Sequence, residues 1–531
     1  MPIRMTDDPD QPREDFNDDS GNRRPNLPGG GGGGLMNLLP LLLGLFKGKG
    51  IIVLLIIVAG GYFLLNKSGG CNVQQIAGLF SQSGYSFDPN EFNKASVYEE
   101  LDENNPGNAL PEAVSLLKYA PTRLNQGQQG SCVAWSSAYA AQTILTSAAT
   151  GDDPNAIAFS PSYLYNQIRL EDCQGSYIQR AMEAMKRNGG VPLEKYPYND
   201  QDCERMPGAS EVQLGKQNTI HGFTRLTSGD NINQISVRAI KEHLAKDAPV
   251  VIGMMVGQSF MEPMKGEELW RPQGMDQTQM GMGGHAMTVI GYDDSKYGGA
   301  FQIMNSWGDD WGNNGIGWVR YGDFKNYVKE AYGIDPLPEK SNVASIPLEC
   351  TIGLVRNDNR QYINLRNTGN NLFETVSPIS VGTRFKMEVK NETPCYIYIF
   401  GQELDGTSFV LFPYTGKHSP YCGITGYRLF PRSQSMEADD KGNRDYIAII
   451  ASMEELDYNQ VNAAISRSTS ADYAGKVNEA LQSLLVPSVR YNNTGDGRIY
   501  FKAGINNNKT VATIVAFDKP IIRVERNHPK S

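Results

Sequence analysis

The pattern of apolar and polar positions divides the chain into parts of different character. Residues 1–34 carry very few apolar side chains and end in six consecutive glycines, so we expect a disordered arm without a core. Residues 35–67 then hold two apolar runs, of which the second, Ile51–Leu65, contains no charged residue. As a helix this run would extend about 22 Å, and its flanks can lengthen it. Residues 35–67 are therefore predicted to form a membrane anchor with a transmembrane helix.

The charges near this anchor predict its orientation. Lys47 and Lys49 precede the second apolar run, Lys67 follows it, and the arm holds further arginines. Basic residues favour the cytoplasmic side of a membrane, so we expect a cytoplasmic N-terminus and export of the rest of the chain. The alternatives are a lipid anchor on Cys71 and a buried core helix.

Shorter patterns follow the anchor. Residues 68–108 are polar and are predicted to be a stalk or a short prosegment. Residues 109–336 mix apolar strand-like runs with helix-like runs, which predicts an α+β domain. Residues 337–531 hold short strand-like runs, one Asp-Gly hairpin signal and two helix-like runs, which predicts a β-sandwich-like accessory domain.

One stretch predicts a reactive cysteine. Cys132 follows Gly130 and Ser131 where a Gly/Gln-rich turn meets an alanine-rich, helix-like run. A thiol at the N-terminus of a helix lies at the positive end of the dipole, which favours the nucleophilic thiolate. The alternative is a buried cysteine that acts only as a small apolar residue. This stretch alone leaves both interpretations open.

Two later stretches favour the nucleophile. His285 follows two glycines and opens an apolar run, while Asn305 ends a short apolar strand before a loop rich in Trp and Gly. Gln126 lies six positions before Cys132. With the Gly-Ser-Cys turn, the Gly-His-Ala strand and the Asn-Ser-Trp-Gly run, residues 109–336 resemble the papain-like (C1-type) cysteine peptidases.

The resemblance implies a role for each side chain. Cys132 would attack a peptide carbonyl as a thiolate, paired with a protonated His285 that later protonates the leaving amine. Asn305 would orient the imidazole, and Trp307 would shield their hydrogen bond from water. Gln126 and the backbone N–H of Cys132 would stabilise the oxyanion. Each residue alone also fits a structural role, but the ordered set favours catalysis.

The resemblance also implies a fold and a binding surface. The expected architecture is a papain-like two-lobed α+β fold, with a helical lobe and a β-barrel-like lobe. Gly175 and Ser176 lie where the family often has a turn whose backbone binds substrate. Cys173 and Cys203 bracket the segment that follows and are candidates for a disulfide, which suits an exported protein.

The accessory domain at residues 337–531 carries a second resemblance. Its Tyr- and Ile-rich strands, spaced around the Asp-Gly turn, resemble a bacterial domain of unknown function that is appended to exported peptidases and kinases. This resemblance implies no catalytic residue. Cys350, Cys395 and Cys422 could pair in more than one way, and the sequence does not choose between them.

Composition and motifs limit the classes of function. A formal net charge of −9 and a pI of about 5.3 argue against nucleic acid as a partner. The five histidines show no metal-ligand spacing, and the sequence lacks a CxxC pair, an HExxH helix and a glycine-rich phosphate loop. No metal or other cofactor is therefore predicted.

These observations predict a membrane-anchored papain-like cysteine peptidase that hydrolyses protein or peptide substrates. Its expected location is a bacterial inner membrane, with the catalytic domain in the periplasm or on the outer side. The alternative from a different class is a non-catalytic envelope protein that reuses the peptidase fold for binding or adhesion, with the accessory domain holding an envelope partner. A third hypothesis is a transpeptidase. The complete set Gln126, Cys132, His285 and Asn305 favours the peptidase.

Overall fold

The computed structural model describes residues 3–7, 84–227, 234–337, 346–505 and 508–520. The described helices are α1 (Pro89–Phe92), α2 (Cys132–Ala134), α3 (Thr143–Thr150), α4 (Pro154–Ile157), α5 (Pro161–Ile168), α6 (Ile178–Asn188), α7 (Ala209–Gly215), α8 (Val237–Leu244), α9 (Tyr321–Tyr327), α10 (Tyr458–Arg467) and α11 (Tyr473–Leu481). The described strands are β1 (Ile3–Asp7), β2 (Ala113–Ser115), β3 (Phe223–Arg225), β4 (Val250–Val256), β5 (Gly283–Asp293), β6 (Ala300–Met304), β7 (Ile316–Arg320), β8 (Val328–Ile334), β9 (Leu348–Arg356), β10 (Tyr362–Ile363), β11 (Leu365–Gly369), β12 (Leu372–Thr375), β13 (Arg384–Asn391), β14 (Cys395–Gln402), β15 (Ser408–Phe412), β16 (Tyr421–Cys422), β17 (Gly426–Phe430), β18 (Gln434–Ala438), β19 (Arg444–Ser452), β20 (Arg490–Asn493), β21 (Ile499–Ala503) and β22 (Thr510–Asp518).

The predicted anchor at residues 35–67 and most of the predicted arm lie outside these described residues. Within the described ranges, no helix combines the length and the apolar character that crossing a bilayer requires.

The central helix of the peptidase region is buried along most of its length. It begins with α2, continues as a π-helical stretch (Trp135–Gln142) and ends with α3 at Thr150. Residues 131–145 are all buried, and alanine occurs repeatedly among them. Small side chains allow close packing on every side, and a helix surrounded by protein needs no polar face. This packing fixes the position of Cys132 at the helix start.

A seven-stranded sheet packs against this helix. Its order is β3-β8-β4-β5-β6-β7, with β2 paired to β5, and the pairs are antiparallel. The α+β architecture agrees with the prediction, but the predicted barrel-like lobe is wrong because β3 and β7 do not pair and the sheet stays open. The free edge of β3 is covered instead by residues 96–98, whose backbone pairs with Arg225. Covering the edge satisfies its hydrogen bonds without closure.

The residues after 346 form two sheets that pack face to face, the architecture that their strand-like runs predict. One sheet has the order β1-β18-β13-β9-β21-β20 and the other β11-β12-β22-β19-β14-β15. Side chains from both sheets share one core, in which the rings of Phe385 and Phe517 lie 5.3 Å apart. Cys350, Cys395 and Cys422 are buried here as free thiols.

One strand of this accessory domain comes from the beginning of the chain. Strand β1 pairs with β18, with Met5 opposite Met436. Residues 3–7 belong to the arm that composition predicts to be disordered. They form a strand because the edge strand β18 supplies backbone partners to a segment that has no core of its own. A strand bonded to this domain lies on the same side of any bilayer as the domain. The predicted single-span topology instead places residues 3–7 and the accessory domain on opposite sides, and this topology stays a prediction.

Candidate functional site

Cys132 lies at the first residue of the central helix and is fully buried. Its Sγ is 3.4 Å from the backbone N–H of Ala286, the residue after His285 on strand β5. The fold therefore brings the helix start and the strand start together, although 154 positions separate Cys132 from Ala286. The sulfur of the predicted nucleophile thus contacts the strand that carries the predicted base.

His285 and Asn305 form the second part of the site. His285 Nε2 donates to Asn305 Oδ1 over 2.7 Å, and the same oxygen accepts the backbone N–H of Ser306 over 2.8 Å. A backbone N–H can only donate, so the atom that accepts the Ser306 N–H is the amide oxygen. The His285 nitrogen that contacts this oxygen must then carry a proton. In the neutral imidazole, Nδ1 then carries the lone pair, and among the described residues it has no hydrogen-bond partner. The ring can therefore accept a proton at Nδ1.

Trp307 covers this hydrogen-bonded pair. Its ring is stacked on the His285 ring, with centroids 4.3 Å apart and an interplanar angle of 26°. Phe260 and Trp311 pack around Trp307 at 5.9 and 6.4 Å between centroids. An aromatic cluster of this kind excludes water and so strengthens the His285–Asn305 hydrogen bond.

Gln126 is buried next to the turn that precedes Cys132. Its Oε1 accepts the Ser306 hydroxyl over 2.7 Å, and its Nε2 donates to the Gln129 carbonyl over 2.9 Å. These two contacts fix which end of the amide carries the N–H groups. The amide nitrogen therefore lies against the Gln129 carbonyl, in the turn that precedes Cys132.

Ser176 binds a peptide backbone that belongs to this chain, and Gly175 leaves room for it. The Ser176 N–H donates to the Gly84 carbonyl over 2.8 Å, and the Ser86 N–H donates to the Ser176 carbonyl over 3.0 Å. Gly175 has a φ of +103°, and a Cβ there would lie 2.5 Å from the Gly84 oxygen. Cys173, two residues earlier, is joined to Cys203 by a disulfide.

Residues 84–95, the cleft segment, cover the thiol. The Gly84 N–H points at the Cys132 Sγ over 3.3 Å, and the Tyr85 N–H lies 3.4 Å from the Gly284 carbonyl. A Cβ on Gly84 would lie only 1.9 Å from the Gly130 carbonyl oxygen, so this close approach requires glycine. The cleft segment thus places main chain, without a side chain, directly over the sulfur.

Tyr85 fills a pocket in the sheet. Its side chain is 6% exposed, and a Cβ on Gly253 of β4 would lie 2.3 Å from the phenol ring, so this glycine makes the space. Glu330 and Tyr332 of β8 line the same pocket and are joined by a 2.8 Å hydrogen bond. Burial raises the pKa of Tyr85 well above its usual value, and the neighbouring Glu330 carboxyl raises it further.

The sequence analysis did not find this pocket. Glu330 and Tyr332 are two residues apart on one strand and so share a face, but no local feature shows that the face points into the cleft. Side chains alternate between the two faces of β8, and a buried carboxylate needs a hydrogen-bond partner. Glu330 and Tyr332 could therefore have been recognised as an unusual pair.

Burial of the site decides its charge state. Burial raises the pKa of the Cys132 thiol to about 11, although the N–H groups of Ala286 and Gly84 oppose the effect. Burial lowers the pKa of the His285 imidazole to about 4, although the hydrogen bond to Asn305 opposes it. Both shifts favour the uncharged forms of the two groups. Burial therefore opposes the predicted thiolate–imidazolium pair, which stays a prediction.

A thiol, an imidazole and an orienting amide form the combination that thiol-dependent acyl transfer uses. Among the described residues, no cluster of three His, Cys, Asp or Glu side chains is placed to hold a metal ion. The site therefore belongs to the class of cysteine-dependent sites with a His–Asn pair.

Comparisons with known proteins agree with this class. Residues 117–335 match the family described as papain family cysteine protease. Cathepsin K of Mus musculus is 30% identical over 211 residues, which cover 39% of this chain and 58% of that protein. Cathepsin L2 of Homo sapiens is 28% identical over 254 residues, which cover 44% of this chain and 67% of that protein.

A solved structure of xylellain, a cysteine protease from Xylella fastidiosa, is 22% identical with a TM-score of 0.40, covering 49% of this chain and 97% of that one. The family match confirms the predicted resemblance for the peptidase region, so this chain contains a papain-family cysteine peptidase domain. The matched region spans a little under three-fifths of mouse cathepsin K.

The contact at Gly84 gives the first testable expectation. Gly84→Ala adds a methyl group that would meet the Gly130 carbonyl, so the cleft segment is displaced and the thiol becomes accessible. Overpacking of this size costs about 1–3 kcal/mol, so alkylation of Cys132 by a small thiol reagent should be roughly tenfold faster. The matched control is Ser86→Ala, since Ser86 binds Ser176 through its backbone. Equal alkylation rates for both variants and the unmodified protein would contradict the contact.

Proposed function

We propose that this protein is a cysteine peptidase that hydrolyses peptide bonds with Cys132 as the nucleophile. One observation carries the proposal: an extended stretch of main chain already lies in the cleft, bonded to Ser176 and Gly284, with the sulfur beneath it. A cleft that binds peptide backbone beside a thiol and a His–Asn pair supports peptide-bond chemistry. The papain-family match over residues 117–335 supports the same reaction.

The chemistry follows from the arrangement of the groups. Once a substrate replaces the cleft segment, the Cys132 thiol gives its proton to His285 Nδ1, and the sulfur attacks the carbonyl carbon. Asn305 holds the ring through Nε2, so the proton remains at Nδ1 and is available for the leaving amine. The Gln126 amide and the backbone N–H of Cys132 would stabilise the oxyanion. Water then hydrolyses the thioester and regenerates the thiol.

The enzyme is latent in the described state. The group that faces Sγ is the Gly84 N–H, which offers no electrophilic carbon to the thiol. The cleft segment therefore occupies the site as a ligand through this contact. Burial of the site disfavours the charged forms of Cys132 and His285, although the Gly84 N–H itself favours the thiolate. Displacing it would let water solvate the charged forms and move both pKa values toward the thiolate–imidazolium pair.

We also propose attachment to a bacterial inner membrane through residues 35–67, with the peptidase on the outer side. The uncharged run Ile51–Leu65 and the basic residues before it support this location. The pairing of β1 with β18 does not fit the proposed orientation.

Substitution of the thiol tests the reaction. In protein whose cleft has been opened, Cys132→Ala should abolish peptide cleavage because it removes the sulfur that lies at the start of the strand carrying His285, whereas Cys422→Ala in the accessory domain should leave cleavage near the original rate. Cleavage is measured on a peptide library by mass spectrometry, with an added amine to detect ligation. Retained cleavage by Cys132→Ala would contradict the mechanism, and absence of cleavage from every variant would favour the non-catalytic binding protein.

The Tyr85 pocket predicts a substrate preference. In the opened enzyme, a substrate with tyrosine at the position that enters this pocket should be cleaved roughly tenfold better than its alanine analogue, because the pocket buries the ring. Gly253→Val fills the space that the ring occupies and should remove the preference, while Gly322→Ala, whose added Cβ would meet no neighbouring atom, is the matched control. An unchanged ratio of kcat/KM in Gly253→Val would contradict the assignment.

A tag at the N-terminus tests the orientation. The single-span topology places residues 3–7 in the cytoplasm, so protease added to spheroplasts, whose outer membrane has been opened, should spare the tag while digesting parts of the chain beyond residue 70. Pairing of β1 with β18 places both on one side, so the same protease should then reach the tag. The second result would overturn the proposed topology.

A further inference from the structure

Residues 126–131, the oxyanion turn, lead directly into the nucleophile. Gln126 begins the turn, and Cys132 follows it as the first residue of the central helix. The Gln126 N–H donates to the Ser306 carbonyl over 2.8 Å, and the Ser306 hydroxyl donates to the Gln126 side-chain oxygen over 2.7 Å. These two contacts hold the first end of the turn against the segment that carries Asn305.

Ser131, the residue before the nucleophile, forms the other end of the turn. Its carbonyl accepts the Trp135 N–H over 3.1 Å, so Ser131 is bonded to the first turn of the central helix. Its hydroxyl lies 2.7 Å from the phenol oxygen of Tyr198. Ser131 is fully buried, so solvent does not compete for this contact.

Tyr198 bonds to both ends of the oxyanion turn, although it lies more than sixty positions further along the chain. Its hydroxyl donates to the Gln126 carbonyl over 2.7 Å, and the side-chain oxygen of Gln129 is farther away, at 3.3 Å. A carbonyl can only accept, so the phenol proton lies on this shorter bond and the Ser131 hydroxyl donates to the phenol oxygen. Burial raises the pKa of Tyr198, which keeps the hydroxyl protonated. One hydroxyl therefore links residue 126 to residue 131.

The loop that carries this hydroxyl is itself held in place. The Tyr198 ring packs edge-on against Trp135, with centroids 4.8 Å apart and an interplanar angle of 75°. The next residue, Asn199, donates its backbone N–H to the Ser162 hydroxyl over 3.1 Å. A side chain that is locked by packing and by neighbouring hydrogen bonds can hold a reactive group in position.

The spacing between the two ends of the turn matters for the proposed chemistry. An oxyanion is stabilised when its donors are aimed in advance at the position where the charge develops. The proposed donors are the Gln126 amide and the Cys132 N–H, which lie at and just beyond the two ends of the turn. A bond across the turn therefore affects an interaction that is made in the transition state, and weakening such an interaction lowers kcat rather than raising KM.

We propose that Tyr198 is a positioning residue for the oxyanion site and that its hydroxyl sets the spacing between Gln126 and the N–H of Cys132. This inference rests on the proposed function. Tyr198 acts through its bonds to Gln126 and Ser131, so loss of the hydroxyl should displace the two donors while the nucleophile and the His285–Asn305 pair stay in place.

A first measurement needs neither an open cleft nor turnover. In the full chain, Tyr198→Phe removes the hydroxyl and keeps the ring, so the backbone N–H groups of residues 127–131 should exchange with deuterium roughly three- to tenfold faster. The matched control is Tyr196→Phe on the same loop, which removes a buried hydroxyl that donates to the Arg205 carbonyl over 2.5 Å. Exchange is followed by mass spectrometry of the peptides from this turn. Equal exchange rates in the two variants would overturn the inference.

A second measurement separates positioning from support of the fold. It uses the full chain with Gly84→Ala, which displaces the cleft segment. A peptide aldehyde adds the Cys132 sulfur to its carbonyl carbon, and the carbonyl oxygen gains the charge or the thiol proton. Iodoacetamide alkylates the same sulfur by displacing iodide, and no oxyanion forms. Tyr198→Phe should lower kcat and aldehyde affinity roughly tenfold each, while KM and the alkylation rate stay within about twofold.

The results separate this inference from the proposed function. Tyr198→Phe added to Gln126→Ala should lower kcat by at most about threefold further, because the two residues act on one oxyanion. Equal losses of aldehyde binding and alkylation in Tyr198→Phe would overturn the inference, as would a raised KM with an unchanged kcat. If the Gly84→Ala protein with Tyr198 intact neither cleaves peptides nor binds the aldehyde, the proposed function fails, and the exchange rates still decide whether Tyr198 holds the turn.

Discussion

Exclusion of water from one thiol and one imidazole governs the electrostatics of the site. The helix dipole at Cys132 favours the thiolate by roughly 0.3–1 kcal/mol. Burial acts in the opposite direction and raises the pKa of the thiol to about 11, although backbone N–H groups around the sulfur oppose it. The backbone that fills the cleft therefore has two effects, because it covers Sγ and also keeps away the water that would solvate a charge there.

The site could be predicted from sequence because its chemistry is carried by residue types in a fixed order. Cys132, His285 and Asn305 each follow a local pattern, and the structure brings Asn305 against His285 and places the start of β5 against Cys132. The open sheet could not be predicted, because closure depends on what covers the edge of β3. Strand β1 has no local signal either, since its partner β18 supplies the edge that it pairs with.

The Tyr85 pocket and the contact between Arg428 and Glu99 could not be predicted from the sequence for a shared reason. Both depend on which surfaces meet in space, since Glu330 lines a pocket only because Tyr85 lies beside it, and the Arg428 guanidinium is bonded only because the Glu99 carbonyl reaches it. The polar composition of residues 84–108 predicted neither contact. A segment whose backbone groups are hydrogen-bonded to neighbouring domains can have the same composition as a segment whose backbone groups are hydrogen-bonded to water.

The cleft segment is held along its whole length. Residues 84–86 make four backbone contacts with the site, each worth about 1 kcal/mol net. Farther along, Phe92 is buried, and Glu91 accepts two hydrogen bonds from the Arg180 guanidinium. Burial of the two aromatic side chains, Tyr85 and Phe92, adds roughly 4 kcal/mol, so the segment's own contacts account for its position in the cleft.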